Sequence, residues 1–174
     1  LAIDLNLSNE DALYELAFCM DIVGQLEQSI SYYQKFIDND PYSYQAWYNM
    51  GIVYFKLGNV EEAISCYEYA TAINEDFASA WFNMGNCFMH QVKYEKALEC
   101  YNKTISCEAP QAETYCNIGT CYEKLLHYSK AIEFYRKATK IDPLYDEAYY
   151  GSGKFLNLRG KSLEAVHFRK KAMK

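Results

Sequence analysis

The feature that most restricts what this chain can fold into is an internal repeat of about 34 residues that keeps its register throughout. The segment Ala46-Trp47-Tyr48-Asn49-Met50-Gly51 returns as Ala80-Trp81-Phe82-Asn83-Met84-Gly85 and again as Thr114-Tyr115-Cys116-Asn117-Ile118-Gly119. One step back stands Leu13-Tyr14-Glu15-Leu16-Ala17, and one step further on Tyr149-Tyr150-Gly151-Ser152-Gly153. Other columns keep the same step. A small column reads Ala17, Gly51, Gly85, Gly119 and Gly153; a second reads Ser29, Ala63, Ala97, Ala131 and Ala165. A bulky column reads Tyr33, Tyr67, Tyr101 and Tyr135, with Arg169 out of pattern. Within each copy apolar residues recur at steps of three, four and seven, the period of an amphipathic helix. Gly24, Gly58 and Gly160 fall between the two halves, where a helix stops and the chain reverses. Each copy is therefore predicted to be a pair of antiparallel helices, with small columns set against bulky ones so that the helices interdigitate. On this pattern Gly85 is expected where two helices touch.

Composition limits the rest. With 51% hydrophobic and 23% charged residues the chain can build a packed core. No apolar run approaches the roughly 18 residues that cross a bilayer, so no membrane span is expected. Net charge is −6, against a general phosphate-backbone binder, and no nucleic-acid partner is expected. The seven cysteines include no C-x-x-C pair, which disfavours a zinc ribbon or a disulfide scaffold and fits free thiols in a reducing, cytoplasmic setting. The chain opens on Leu1-Ala2-Ile3 without an initiator Met, so it is expected to be a piece of a longer array.

The columns closely resemble the tetratricopeptide repeat, whose signature is Trp, Leu, Gly, Tyr, Ala, aromatic, Ala and Pro at this spacing. Asp40-Pro41 and Asp142-Pro143 stand at joins between copies. The resemblance covers residues 10 to 174: repeats at 10–43, 44–77, 78–111, 112–145 and a truncated 146–174, with 1–9 as the tail of a preceding repeat helix. It implies an all-α fold, a right-handed α-solenoid whose first helices line a concave groove. It also implies a protein–protein interaction scaffold that takes an extended peptide in that groove.

The groove residues expected from this register are specific. Asn49, Asn83 and Asn117 occupy one equivalent position per repeat, bounded by Glu15 and Gly151. A carboxamide has an acceptor oxygen and two donor hydrogens, enough to pair with both polar groups of a peptide unit. The column resembles the asparagine ladder by which some family members hold an extended backbone. The alternative is that asparagine is simply a common solvated residue at this position, one that can also serve helix–helix hydrogen bonds. Beside them run Tyr14, Tyr48 and Phe82, with Phe18, Ile52 and Asn86 one turn further on. These are expected either as anchors for a partner's apolar side chains or as packing between neighbouring first helices. The clamp with which some family members hold the acidic C-termini of heat-shock chaperones is not expected. Tyr48 and Ile52, or Glu147 and Gly151, stand where its Lys, Asn or Arg would be.

No catalytic constellation is legible, and neither a cofactor nor a metal is expected. His90, His127 and His167 lie in different repeats, and no H-E-x-x-H occurs. Gly151-Ser152-Gly153-Lys154 lacks the context of a phosphate loop, its glycines falling in packing columns. Cys19, Cys87 and Cys121 share one column and are expected as small packing residues. Charge is bipolar: positions 1–80 hold 13 acidic and 2 basic side chains, and positions 81–174 hold 10 acidic and 15 basic ones. This admits a second reading, a self-assembling spacer joined through its ends, or the regulatory arm of a larger parent.

Overall fold

The computed structural model describes residues 9–151. Eight helices follow in order: α1 Asn9–Ile22, α2 Leu26–Asn39, α3 Tyr44–Lys56, α4 Val60–Ile73, α5 Ala78–His90, α6 Tyr94–Cys107, α7 Ala112–Lys124 and α8 Tyr128–Ile141. A further helical stretch begins at Asp146, and there is no strand among the described residues. The segment expected as a preceding helix tail lies outside the described residues, except Asn9, which belongs to α1. Positions 152–174, which include His167, Arg169 and Ser152-Gly153-Lys154, also lie outside them. The chain divides into two compact units, 1–87 and 88–174, with the boundary inside α5.

In the first unit α1 packs on α2 and α3 on α4, while α2 also packs on α3 across the repeat join. In the second unit α7 packs on α8, and α6 on α7 across the join between the third and fourth repeats. Only α3 has a side-chain N-cap among the helices α2 to α4 and α6 to α8: the Ser43 hydroxyl accepts from the Ala46 N–H at 3.3 Å. The other starts depend on tertiary packing, as is usual for helices this short.

Each hairpin turn closes in the same way. The second residue after α1 or α3 bonds back three positions and its successor five, Gly24 to Asp21 and Gln25 to Met20, then Gly58 to Phe55 and Asn59 to Tyr54. This is the paired pattern that ends a helix with one left-handed residue. Gly24 and Gly58 supply it at φ +79° and +82°. In the second unit the same bonds are made by Val92 and Leu126, each at φ +63°, although neither is a glycine. A Cβ makes the left-handed region costly, most of all for β-branched side chains. Both are largely exposed, so little burial offsets the strain. Val92→Gly and Leu126→Gly should each therefore raise stability by about 0.5–1 kcal/mol, net of the extra freedom glycine gives the unfolded chain. Thermal melts of the two variants check this; a fall in Tm for both would contradict it.

The core consists of the columns. Tyr33, Tyr67, Tyr101 and Tyr135 are each 2% exposed or less, and Ala17, Ala63, Ala97 and Ala131 are fully buried. Each aromatic side chain taken from water contributes roughly 2–3 kcal/mol. A Cβ added at Gly51 would stand 2.7 Å from Tyr67 Cε1, and one at Gly119 would stand 2.8 Å from Tyr135 Cδ1. The glycine column thus exists because the next helix lays a tyrosine ring against it. Where the first repeat carries Ala17 and Ser29 instead, the Ser29 hydroxyl donates to the Ala17 carbonyl at 2.7 Å, so the buried polar atom is satisfied. The Trp column ties down the joins: Trp47 Nε1 donates to the Pro41 carbonyl at 3.0 Å and Trp81 Nε1 to the Glu75 carbonyl at 2.8 Å.

Candidate functional site

The asparagine column meets two tyrosines. Asn49 Nδ2 donates to the Tyr14 hydroxyl at 2.6 Å, from α3 to the preceding first helix. The Asn49 carboxamide also faces the hydroxyl of Tyr33, on the preceding second helix, and favours its ionised form. The arrangement recurs one repeat on: Asn83 Nδ2 donates to the Tyr48 hydroxyl at 3.1 Å, and the Asn83 carboxamide also faces the Tyr67 hydroxyl. In the second unit Asn117 hydrogen-bonds Tyr101. In the second, third and fourth repeats a half-buried carboxamide is therefore set against phenol groups of the repeat before it. Burial pushes the hydroxyls of Tyr14, Tyr33, Tyr48, Tyr67 and Tyr101 above the ordinary phenol range, so they stay protonated and can both donate and accept.

Where the column ends, the tyrosine finds other partners. Gly151 occupies the place of the asparagine, and a Cβ there would stand 2.6 Å from Tyr135 Cζ. The Tyr135 hydroxyl instead donates to Glu123 Oε2 at 2.8 Å and lies 3.3 Å from the Thr120 hydroxyl. Tyr33, Tyr67 and Tyr101, each on the second helix just before its asparagine, are thus part of the site. The pairing runs between two columns and is hidden within either one.

The other expected groove residues sit as follows. Tyr14 is half-buried and edge-on to Tyr33 and Phe36, with ring centroids 5.7 and 5.4 Å away. Tyr48 is half-buried against Tyr67 at 5.9 Å and Phe77 at 4.8 Å. Phe18 is 45% exposed, and Ile52, Phe82 and Asn86 are half-buried. The structure brings Tyr14 together with Asn49 and Tyr48 with Asn83. Phe18 and Ile52 keep accessible apolar surface.

The thiols differ in environment. Cys87 and Cys121 are fully buried, as their column requires, and burial pushes both up to about 12. Cys121 Sγ lies 3.1 Å from Met89 Sδ on the preceding first helix. Cys19, in the same column, is exposed. Cys66 and Cys116 are likewise raised to about 12 by burial, far from thiolate chemistry at neutral pH. Among the described residues no group of three or more His, Cys, Asp or Glu is placed to hold a metal ion, and no helix is long and apolar enough to cross a membrane.

Helical hairpins repeated in register, small columns against tyrosines, and polar side chains bracketed between successive repeats define a helical-repeat scaffold. Family models for the tetratricopeptide repeat match residues 11–43, 44–77, 78–108 and 112–145, and the chain belongs to that family. It is a protein–protein interaction scaffold of a family that is generally non-catalytic. No curated protein matches the chain by sequence. Several solved structures share the fold. A crystal structure of MamA is 23% identical with TM-score 0.85, over 96% of this chain and 94% of that one. PilF from Pseudomonas aeruginosa is 18% identical with TM-score 0.82, over 94% of this chain and 75% of that one. YrrB, described as a TPR protein with an unusual peptide-binding site, is 21% identical with TM-score 0.80, over 95% and 87%.

Proposed function

We propose that the chain binds an extended segment of a partner protein along the exposed side of its first helices. In the first unit the contact residues are Asn49 and Asn83, with Tyr14, Phe18, Tyr48, Ile52, Phe82 and Asn86 around them. Asn117 serves the same role within the second unit. The observation that carries this reading is that Tyr14 and Tyr48 hold the amide nitrogens of Asn49 and Asn83. A carboxamide held by its nitrogen is pre-oriented, and what it offers a peptide is its Oδ1, an acceptor for one backbone N–H. The ladder accepts from alternate peptide units and leaves side-chain choice to the apolar surface of Phe18 and Ile52. Preorganisation lowers the ordering cost on the protein side, so modest contacts suffice.

Binding of unstructured peptides to the wild type and to the triple variant Asn49→Ala, Asn83→Ala, Asn117→Ala tests the proposal. Loss of three acceptor contacts at about 0.5–1.5 kcal/mol each predicts at least a tenfold weaker Kd. The variant also loses its tyrosine bonds, so its helicity and melt are recorded alongside. Equal affinities in a folded variant would remove the asparagines from the binding mechanism.

A further inference from the structure

The join between the first two repeats differs from the next one, and the difference opens a cleft. At the second join Phe77 packs edge-on to Tyr48 at 4.8 Å and Tyr44 at 5.0 Å, filling the space beside Tyr48. The residue one repeat earlier is Ser43, too small to do this for Tyr14. An open cleft of about 270 Å³ results, lined by Tyr14, Glu15, Phe36, Ser43 and Gln45. Its walls are aromatic, with Tyr14 and Phe36 5.4 Å apart and tilted 64°. Its charge comes from Glu15, the carboxylate that stands where the next repeats carry Asn49 and Asn83. The start of α3 does not counter that charge strongly, because the Ser43 hydroxyl already takes up the Ala46 N–H.

Neither basic side chain of positions 1–80, Lys35 or Lys56, is available to fill the cleft. Lys56 Nζ is paired with Asp21 at 2.7 Å, and Lys35 Nζ lies over the Tyr32 ring, 5.3 Å from its centroid. The cleft borders the ladder, since Tyr14 is also the residue that holds Asn49.

We infer that this cleft receives a lysine or arginine side chain of the bound segment. Tyr14 and Phe36 contact its methylene stem and cation, and the Glu15 carboxylate pairs with its charge, with the Gln45 carboxamide as a neutral acceptor at the rim. An acidic side chain would meet Glu15 as a like charge, and an apolar one would leave that carboxylate partly desolvated. The inference rests on the peptide-binding reading and adds a charge requirement to it: the partner segment is basic where it passes the first join.

A positional-scanning library of N-acetylated, C-amidated decapeptides is the probe, so that no terminal charge competes. Wild-type protein should enrich Lys and Arg at one position about three- to tenfold over Ala. Two variants locate that preference. Glu15→Gln removes the charge without changing size. Ser43→Phe fills the cleft with the side chain already accommodated at Phe77. Both should abolish the cation preference while binding of uncharged peptides persists, and added salt should weaken it in the wild type. Library binding with no preference for cations, a preference for acids, or a cation preference that both variants retain would overturn the cleft assignment and leave the groove reading intact. Wild-type protein that binds no member of the library would overturn the groove reading itself, and the inference with it.

Discussion

Gly51→Leu should lower stability by about 3 kcal/mol or more, with Gly51→Ala already costing about 1–3 kcal/mol. The Cβ alone would stand 2.7 Å from Tyr67 Cε1 and 3.1 Å from Cys66 Cβ. Neither neighbour can yield cheaply. The Tyr67 ring is 2% exposed and Cys66 is 4% exposed, so both are enclosed by core on other sides. The ring must tilt or α3 must move away from α4, and either motion opens voids elsewhere in a close-packed hairpin. In a domain of this size about 3 kcal/mol is a fall in Tm of roughly 6–12 °C. Because each repeat contacts only its neighbours, the effect should be largest in α3 and α4. Hydrogen exchange, resolved by helix, checks the location, and a thermal melt checks the magnitude. A substitution that leaves both unchanged would mean that the glycine column is not a packing column.

That column was legible in the sequence because a glycine recurring at a fixed step inside a helical segment marks a place where another chain segment comes too close for a side chain. The two-helix unit, the hairpin turns at Gly24 and Gly58, and the tyrosine column were legible for the same reason: each is a local rule applied several times. What the sequence left open is what occurs between columns. Asn49 stands on the helix after that of Tyr33 and a full repeat beyond Tyr14, and only the stacking of one hairpin on the next brings the three together. Of the two readings open for the asparagines, helix–helix hydrogen bonding describes what Asn49 and Asn83 do in the unbound chain. Peptide binding remains a proposal for the oxygen they still present. Similarly, Tyr14 and Tyr48 lie against rings of their own hairpin or the following join rather than standing clear of the surface. Val92 and Leu126 were illegible as turn residues, because glycine marks that position in other copies and nothing local replaces the signal. The turn survives there because the hairpin's packing outweighs a backbone cost of about 1–2 kcal/mol. The cleft beside Glu15 depends on one serine standing at a position that is aromatic a repeat later, a difference that a shared pattern does not contain.

Tyr67→Ala should be the most damaging single truncation in the first unit, at about 3–5 kcal/mol. Its ring lies against Gly51, packs beside Tyr48 at 5.9 Å, and carries a hydroxyl that the Asn83 carboxamide faces. Truncation therefore removes three things at once: the apolar area of the ring, the wall that meets Gly51 of α3, and the hydroxyl beside the Asn83 carboxamide. Tyr67→Phe separates them. It keeps the ring and removes only the hydroxyl, and Asn83 keeps its bond to Tyr48, so it should cost about 0.5–1.5 kcal/mol, the net worth of one polar contact. Pairing the two columns in a double variant, Gly51→Ala with Tyr67→Ala, gives the sharper result. With the ring gone, the added methyl at position 51 has room, so its own penalty should shrink by about 1 kcal/mol or more and the two costs should fail to add. Denaturant titrations of the two single variants and the double measure this coupling. Additive losses would mean that Gly51 and Tyr67 are destabilised by separate causes and that the small and bulky columns do not meet as the structure places them.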